Sequence, residues 1–448
     1  MRKYSLFLTF MSILFLSVKT TAQKKDKNYA KPSMVEVKEV DGQYNFYVNN
    51  EKFEIKGVGI NYVDGHDFEA LHKAGGNAFR TWTVKNAGTE LAAAEKYGFM
   101  VAMGISIGKE LYGFDYNDRR AVAKQLKKVK AIIKRYKNHP NVLCWVVGNE
   151  LNLLFNENGT LRPVNPKVYD AMTDIVDFIH KEDPNHPVTM TFAGVVKEHL
   201  KVALERCPQI DIVSVQVYGD LENVEERMKN TGIQKPYMIT EFGPMGFWEM
   251  PKTAWNREIE EVSGPKADGI LHRIQKGLIN NTSGKCLGGF AFEWGQKQER
   301  TPTWYGMFHK DGSQTETIDN LTKLWTGKYP ENRAPRVDSL WLDGKKATDN
   351  VYLKANETYT AQVFASEPDN DTLVYKWIIR KEVVTRSQGG EIELEPPYIN
   401  IEVISDQEGK FSFVAPKEGE YRIFAYVYDN KGKAGGGNIP FMVKKEID

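Results

Sequence analysis

Two glutamates stand at the ends of strongly apolar stretches of the chain. Glu150 follows the run VLCWVV, and Glu241 lies within the run YMITEF. Such runs are typical of strands buried on both faces and do not suit a solvated surface carboxylate. Hydrolysis of a glycosidic bond needs two carboxyl groups, one to protonate the leaving oxygen and one to act as nucleophile or base. The pair therefore indicates glycoside hydrolysis.

The two glutamates belong to the fourth and seventh of eight short apolar runs, which alternate with segments of helical spacing. We predict strands at residues 55–61, 78–82, 100–107, 142–148, 187–192, 212–218, 237–242 and 287–294. We predict helices at residues 67–74, 88–97, 118–136, 166–180, 197–206, 222–229, 270–279 and 318–325. Eight successive strand–helix units predict an α/β fold, a closed (β/α)8 TIM barrel. The alternative is an open doubly wound sheet, which needs a glycine-rich nucleotide-binding turn, and GVGINY at residues 57–62 lacks the third glycine.

Further candidate site residues stand at the same ends of the predicted strands, where TIM barrels carry their catalytic side chains. These ends add four residues to the two glutamates: Arg80, Asn149, Tyr218 and Trp294. Glu293 is also found there. Neighbouring side chains of a strand point to opposite faces, so Glu293 and Trp294 are expected to point in opposite directions. We therefore discount Glu293 as a rival of Glu241.

The pattern changes after residue 330. Short alternating runs at residues 359–364, 373–379, 410–414 and 421–428 are separated by turn residues and show no helical spacing. This pattern predicts an all-β sandwich. The segments ASEPDNDTLVYKW and EGEYRIFAYVYDNKG resemble immunoglobulin-like or polycystic-kidney-type modules of secreted proteins. We predict a catalytic barrel over residues 33–330 and an immunoglobulin-like sandwich over residues 334–448.

Composition argues against several function classes. The 448 residues include 60 Lys+Arg and 59 Asp+Glu, a formal net charge of +1, which offers no field for holding nucleic acid. The 3 Cys contain no C-x-x-C pair, and no H-E-x-x-H, P-loop or EF-hand motif is present. We therefore expect neither a metal nor another cofactor. The expected partner is an oligo- or polysaccharide substrate, and the sequence does not indicate an oligomeric state.

The first residues have the form of an export signal. A basic start (Met1-Arg2-Lys3) is followed by an apolar run at residues 5–18 and a small-residue cleavage site after Ala22. The run is too short to span a bilayer comfortably, so residues 1–22 are predicted to be a cleaved signal peptide. No Cys follows for a lipid anchor. The expected location is secreted or periplasmic, without membrane insertion after signal cleavage.

The strand motifs resemble those of a known enzyme clan. The order W-x-x-G-N-E at residues 145–150 and T-E-F-G at residues 240–243 is similar to the retaining glycoside hydrolases of the barrel clan that includes families 2 and 5. The hairpin pattern at residues 42–58 and the segment NAFRTW at residues 77–82 also resemble family 2 catalytic barrels. The resemblance covers the whole predicted barrel.

This resemblance implies a role for each candidate residue. Glu150 is expected to be the general acid/base, and Glu241 the nucleophile that forms a glycosyl-enzyme intermediate. Asn149 is expected to bind the sugar 2-hydroxyl, while Arg80 and Tyr218 orient Glu241. Trp294 is expected to form the floor of the reacting-sugar subsite.

Two features differ from the family 2 pattern. Gln216 stands two residues before Tyr218, where the clan often has His or Asn, and the sandwich follows the barrel instead of preceding it. The barrel-then-sandwich order resembles some secreted endo-acting β-1,3-glucanases, so the expected substrate is a β-linked glycan such as β-1,3-glucan. Two alternatives stay open: a transglycosylase that uses the same carboxylates, and a catalytically silent glycan-binding barrel.

Overall fold

The computed structural model describes residues 31–60, 67–387 and 392–446. The predicted signal peptide and Asn61, the last residue of the first predicted barrel strand, lie outside these ranges. Within them, no helix combines the length and apolar character needed to cross a membrane.

A small antiparallel sheet precedes the barrel. Its strands are β1 (Val35–Val40), β2 (Gln43–Val48) and β3 (Glu51–Phe53). Asn49 and Asn50 form the turn between β2 and β3 with positive φ angles of 52° and 71°, which Asn tolerates better than most residues. Val35 and Phe46 are buried in one apolar cluster with residues of the barrel strands, so this sheet packs against the barrel.

Eight parallel strands close into a barrel, as the sequence predicts. They are β4 (Gly57–Gly59), β5 (Ala78–Arg80), β6 (Met100–Ile105), β7 (Val142–Val147), β8 (Val188–Ala193), β9 (Ile212–Gln216), β10 (Tyr237–Phe242) and β11 (Cys286–Ala291). β11 pairs with β4 through Phe290–Gly57 and Ala291–Val58, which closes the sheet and excludes the open alternative. The strands are almost entirely buried because helices cover the outside and side chains fill the inside.

Helices connect the strands around the outside. They are α1 (Phe68–Lys73), α2 (Ala87–Tyr97), α3 (Arg119–Tyr136), α4 (Lys167–Glu182), α5 (Lys197–Arg206), α6 (Val224–Thr231), α7 (Ser263–Ile274) and α8 (Glu316–Thr326). Short turns of other helix types lie at Glu110–Tyr112, Gly219–Asn223, Gln275–Ile279 and Ala347–Asp349. In α3, the Asp118 side chain caps the N-terminus, and Val129 and Ile133 face the core.

Helix α7 begins seven residues before the predicted start at residue 270, at Ser263. The sequence contains Gly264 and Pro265, which normally interrupt helices. Both lie in the first turn, where backbone N–H groups have no intrahelical acceptor, so proline removes no hydrogen bond there.

The C-terminal part forms two four-stranded sheets. The strands are β12 (Arg336–Leu342), β13 (Val351–Lys354), β14 (Thr358–Ser366), β15 (Val374–Lys381), β16 (Val403–Gln407), β17 (Lys410–Val414), β18 (Gly419–Tyr428) and β19 (Ala434–Lys444). One sheet has the order β12-β14-β17-β16 and the other β13-β19-β18-β15. Phe413 and Phe441, one from each sheet, are buried in a shared core. The immunoglobulin-like assignment and the exact domain limits remain predictions.

The barrel and the C-terminal sheets meet through buried polar groups. The Arg422 guanidinium donates to the Glu258 carbonyl at 2.9 Å, and the Asn438 amide donates to Glu260 Oε2 at 2.6 Å. Lys433 forms an ion pair with Asp319 of α8, and both side chains are buried. We call this contact region the junction.

Candidate active site

Arg80 connects the two predicted catalytic strands at the carboxyl end of the barrel. It is the last residue of β5, and its side chain is completely buried. Nη1 donates to Glu241 Oε1 at 3.1 Å and to the Thr240 carbonyl at 2.9 Å. Nη2 donates to Asn149 Oδ1 at 3.1 Å, next to Glu150 in the chain. One guanidinium therefore organises the ends of β7 and β10.

Glu241 receives hydrogen bonds from three side chains. Besides Arg80, the Trp82 indole Nε1 donates to Oε1 at 2.8 Å, and the Tyr218 hydroxyl donates to Oε2 at 2.9 Å. Three donors, one of them a cation, thus engage both oxygens of this carboxyl group. They also restrict its orientation, which suits an attacking carboxylate.

Glu150 has a different environment. Its backbone φ is +49°, in the left-handed region, after Gly148 with a φ of +78°. The Glu150 N–H donates to Thr191 Oγ1 at 2.8 Å, which stabilises this uncommon conformation. The pKa of Glu150 is raised to about 7, mainly by burial and also by Glu241, whereas Lys109 at 3.8 Å acts to lower it. A carboxyl group with this pKa can hold a proton near neutral pH, as a general acid must.

Asn149 is oriented through its amide oxygen. Oδ1 accepts from Arg80 and also from Gln216 Nε2 at 2.6 Å. With the oxygen engaged twice, the orientation of the amide group is fixed. Gln216, which differs from the clan pattern, thus serves to position Asn149 in this chain.

Tyr218 and Trp294 lie in different surroundings. The Tyr218 ring packs edge-to-face on Phe292 and Tyr305, at centroid distances of 6.1 and 5.6 Å. The Trp294 ring is completely buried, and its Nε1 donates to the Asp67 carbonyl at 3.1 Å. The structure therefore joins Arg80, Asn149, Tyr218 and Glu241 in one hydrogen-bond network, whereas the subsite role of Trp294 remains a prediction.

Glu293 is a further buried carboxyl group at this end of the barrel. Its pKa is raised to about 8, mainly by burial and also by Glu299 and Glu241, whereas Lys297 acts to lower it. At neutral pH Glu293 is therefore mostly protonated, and a protonated carboxyl group is a poor nucleophile. This agrees with Glu241, and not Glu293, as the nucleophile.

Sequence reasoning placed Trp82 at the end of the predicted strand 78–82 but did not identify its hydrogen bond to Glu241, and it missed Lys109 and Thr191. Trp82 lies two residues after Arg80, so strand alternation places it on the same face and offers a usable signal. Lys109 and Thr191 carry no local signal, because their contacts with Glu150 join loops and strands that are distant in sequence. In the part of the chain that the structure describes, no group of three His, Cys, Asp or Glu side chains is arranged to hold a metal ion.

Comparison with known proteins agrees with this geometry. The family model "Glycosyl hydrolases family 2, TIM barrel domain" matches residues 39–262, half of the chain. The chain belongs to glycosyl hydrolase family 2. The match includes both catalytic candidates, and the closed barrel is the TIM-barrel fold that this family model describes.

Relatives of this family 2 chain include several β-glucuronidases. The enzyme of Sus scrofa is 23% identical over 264 residues, covering 54% of this chain and 37% of its own length. The enzyme of Paenibacillus borealis is 24% identical over 329 residues, covering 64% of this chain and 51% of its own. The chain thus spans about half, or less, of the length of these relatives.

Solved structures show the same fold. Bacteroides uniformis β-glucuronidase 2, covalently bound to cyclophellitol-6-carboxylate aziridine, matches with a TM-score of 0.52 at 15% identity. The match covers 92% of this family 2 chain and 48% of that protein. The Bifidobacterium dentium β-glucuronidase matches with a TM-score of 0.50 at 20% identity, covering 66% of this chain and 50% of its own.

Proposed function

We propose that this family 2 enzyme is a retaining β-glycosidase that works by double displacement. The observation that supports this proposal is the contrast between the two glutamates. Glu241 is held by Arg80, Trp82 and Tyr218, whereas Glu150 has a pKa of about 7 because it is buried. A carboxylate beside a protonated carboxyl group is the combination that double displacement requires.

The first step breaks the glycosidic bond. A Glu241 oxygen attacks the anomeric carbon, and the Glu150 proton passes to the departing glycosidic oxygen. This yields a glycosyl ester on Glu241 and a free leaving alcohol. In the second step, Glu150 takes a proton from water while the water oxygen attacks the anomeric carbon and releases Glu241. Both glutamates return to their starting states, and the anomeric configuration is retained.

The substrate we propose is a β-linked glycan, with a β-glucan such as β-1,3-glucan as the first candidate. Lys297 lies at the catalytic end of the barrel and forms an ion pair with Glu299. This cation is thus already partly neutralised by the protein, which favours a neutral sugar over a uronic acid. We further propose that the enzyme is exported and acts outside the cytoplasm.

A β-glucuronide is the second candidate substrate. It is favoured by the relatives, several of which are β-glucuronidases. A glucuronide carboxylate would need to displace Glu299 from Lys297 or recruit Lys109. Comparing an aryl β-glucuronide with the neutral aryl β-glucoside therefore distinguishes the two candidates directly.

The test measures cleavage of β-1,3-glucan, mixed-linkage glucan, mannan, galactan and the two aryl glycosides. We expect Glu150→Gln to lower kcat on the glycans by about 10²–10⁴-fold, the range for loss of a general acid. Glu241→Gln is expected to abolish turnover, since no covalent intermediate can form. Proton NMR of the first product should show the β anomer.

Glu90→Gln is the matched control. Glu90 is also buried, and burial raises its pKa to about 7, but it lies on α2 and outside the site network. Its replacement should leave activity intact. Activity that survives Glu241→Gln would refute the nucleophile assignment. Sugar transfer to an added glycan acceptor would instead identify a transglycosylase, and glycan retention without cleavage would identify a silent binding barrel.

A further inference from the structure

Two large aromatic side chains are exposed in loops that follow barrel strands. Trp248, in the loop after β10, is 57% exposed, and Tyr112, in the Glu110–Tyr112 turn after β6, is 52% exposed. Indole and phenol rings normally bury most of their surface, so rings held in the open suggest a binding surface. Loops at this end of a TIM barrel surround the active site.

Trp248 is connected to the nucleophile through one residue. Its ring lies edge-to-face on Tyr218, with a centroid distance of 5.5 Å and an interplanar angle of 87°. The Tyr218 hydroxyl donates to Glu241 at 2.9 Å. The exposed indole therefore lies at the edge of the catalytic centre.

The loop holds this indole in a defined position. Phe247 packs edge-to-face on Trp248 at 4.9 Å. At Gly246, a Cβ atom would lie 2.5 Å from the indole, so the ring occupies the space that any other residue would fill. Glu249 Oε2 accepts from the backbone N–H groups of Gly246 (2.7 Å) and Gly219 (2.9 Å), which attaches the loop to the end of β9. A ring fixed in this way loses little conformational entropy when a ligand binds.

Tyr112 is likewise connected to the proposed general acid, Glu150, through one residue, Lys109. Lys109 Nζ lies 5.4 Å from the Tyr112 ring centroid and 3.8 Å from Glu150 Oε2. The turn that carries Tyr112 is anchored by Glu110, whose Oε2 accepts from the Asn165 N–H at 2.6 Å. One exposed ring thus neighbours each catalytic carboxyl group.

We propose that Trp248 and Tyr112 are stacking platforms for pyranose rings outside the reacting position. The inference rests on the proposed function and extends it: the substrate is a sugar chain, bound at several units, and not a monosaccharide glycoside. The apolar C–H face of a β-linked pyranose complements a flat aromatic ring. Binding energy gained at such remote units helps to orient the reacting sugar.

The experiment measures kcat/KM of each variant on two substrates. One is the glycan of the panel that the wild-type enzyme cleaves best, and the other is the β-glycosyl fluoride of the same sugar, which occupies only the reacting position. For Trp248→Ala and for Tyr112→Ala, we expect the ratio of kcat/KM for glycan to kcat/KM for fluoride to fall about 3- to 10-fold. Trp248→Phe should recover part of this ratio because it keeps a ring.

Tyr398→Ala is the control, since Tyr398 is 61% exposed in the C-terminal part of the chain and stacks on Arg380. It should leave the ratio unchanged. An unchanged ratio for Trp248→Ala or Tyr112→Ala overturns the platform role of that residue. An equal fall in kcat for both substrates also overturns it, because it would show that the ring only positions Tyr218 or Lys109.

Failure of the proposed function has a separate signature. If the wild-type enzyme cleaves no glycan and no fluoride, the proposed function is refuted, and the platforms are then judged by binding alone. Retardation of the full chain in gels containing soluble β-1,3-glucan, mixed-linkage glucan, mannan or galactan supplies this measurement. Weaker retardation of Trp248→Ala than of the wild type supports the inference, whereas equal retardation, or none for the wild type, overturns it.

Discussion

Buried charges behave differently at the catalytic end of the barrel and at the junction with the C-terminal sheets. At the catalytic end, burial raises the pKa of Glu150 to about 7 and that of Glu293 to about 8. At the junction, burial also acts on Glu260, but Lys266, Thr301 and Asn438 together hold its pKa below the usual value. Burial alone does not set a carboxyl pKa, because the number of partners decides whether the charge is retained.

Two of the buried arginines, one in each region, allow the same comparison for cations. Arg80 at the active site and Arg422 at the junction are each almost inaccessible, and each makes three hydrogen bonds. Arg422 donates to Glu382 at 2.8 Å and to Asn438 at 2.7 Å. Arg80 holds Glu241 close to Glu150. Similar networks thus serve stability in one region and chemistry in the other.

The largest expected effect is on folding. Arg422→Met leaves Glu382 buried without its cation, so the free energy of unfolding should fall by about 3–5 kcal/mol. Denaturant titration measures the loss, and activity per folded molecule should be unchanged. The double variant Arg422→Met/Glu382→Gln should recover part of the stability, because it also removes the unpaired charge. A stability equal to the wild type would contradict the structural role of the junction.

The same replacement at the active site should affect catalysis most. Arg80→Met removes the cation that orients both Glu241 and Asn149, and kcat should fall by about 10²–10³-fold, as for loss of one preorganised donor. Steady-state kinetics on the cleaved glycan measures the fall, with circular dichroism to confirm folding. If Arg80→Met kept the wild-type kcat, Arg80 would have no catalytic role, and it would not differ from Arg422 in function.

The smallest effect concerns pH. The raised pKa keeps Glu150 protonated below about pH 7, so kcat/KM should decline about tenfold per pH unit above that value. Lys109 lowers this pKa, so Lys109→Met should move the decline to higher pH, by about one unit or less. Lys124→Met, an exposed lysine on α3, is the control and should not move it. A shift to lower pH would contradict the contact between Lys109 and Glu150.

Sequence alone predicted the barrel, and it selected most of the residues that the structure brings together in the candidate site. Parallel strands covered on both faces must be apolar along their whole length, so the eight runs could be recognised without knowing their neighbours. Glu150, Glu241, Arg80, Asn149 and Tyr218 could be selected because catalytic residues of a TIM barrel follow the strand ends. The positions of the strand ends were therefore sufficient to place these five residues at one end of the barrel.

Only the tertiary structure shows which hydrogen bonds and electrostatic interactions these residues form. The hydrogen bonds from Trp82 to Glu241 and from Gln216 to Asn149 join positions 159 and 67 residues apart. The contact of Lys109 with Glu150 joins the loops that follow two neighbouring strands, β6 and β7. The pKa of Glu150 depends on total burial and on the distances to Lys109 and Glu241. Such distances arise when the barrel closes, because electrostatic interactions in a low-dielectric interior depend on separation in space and not along the chain.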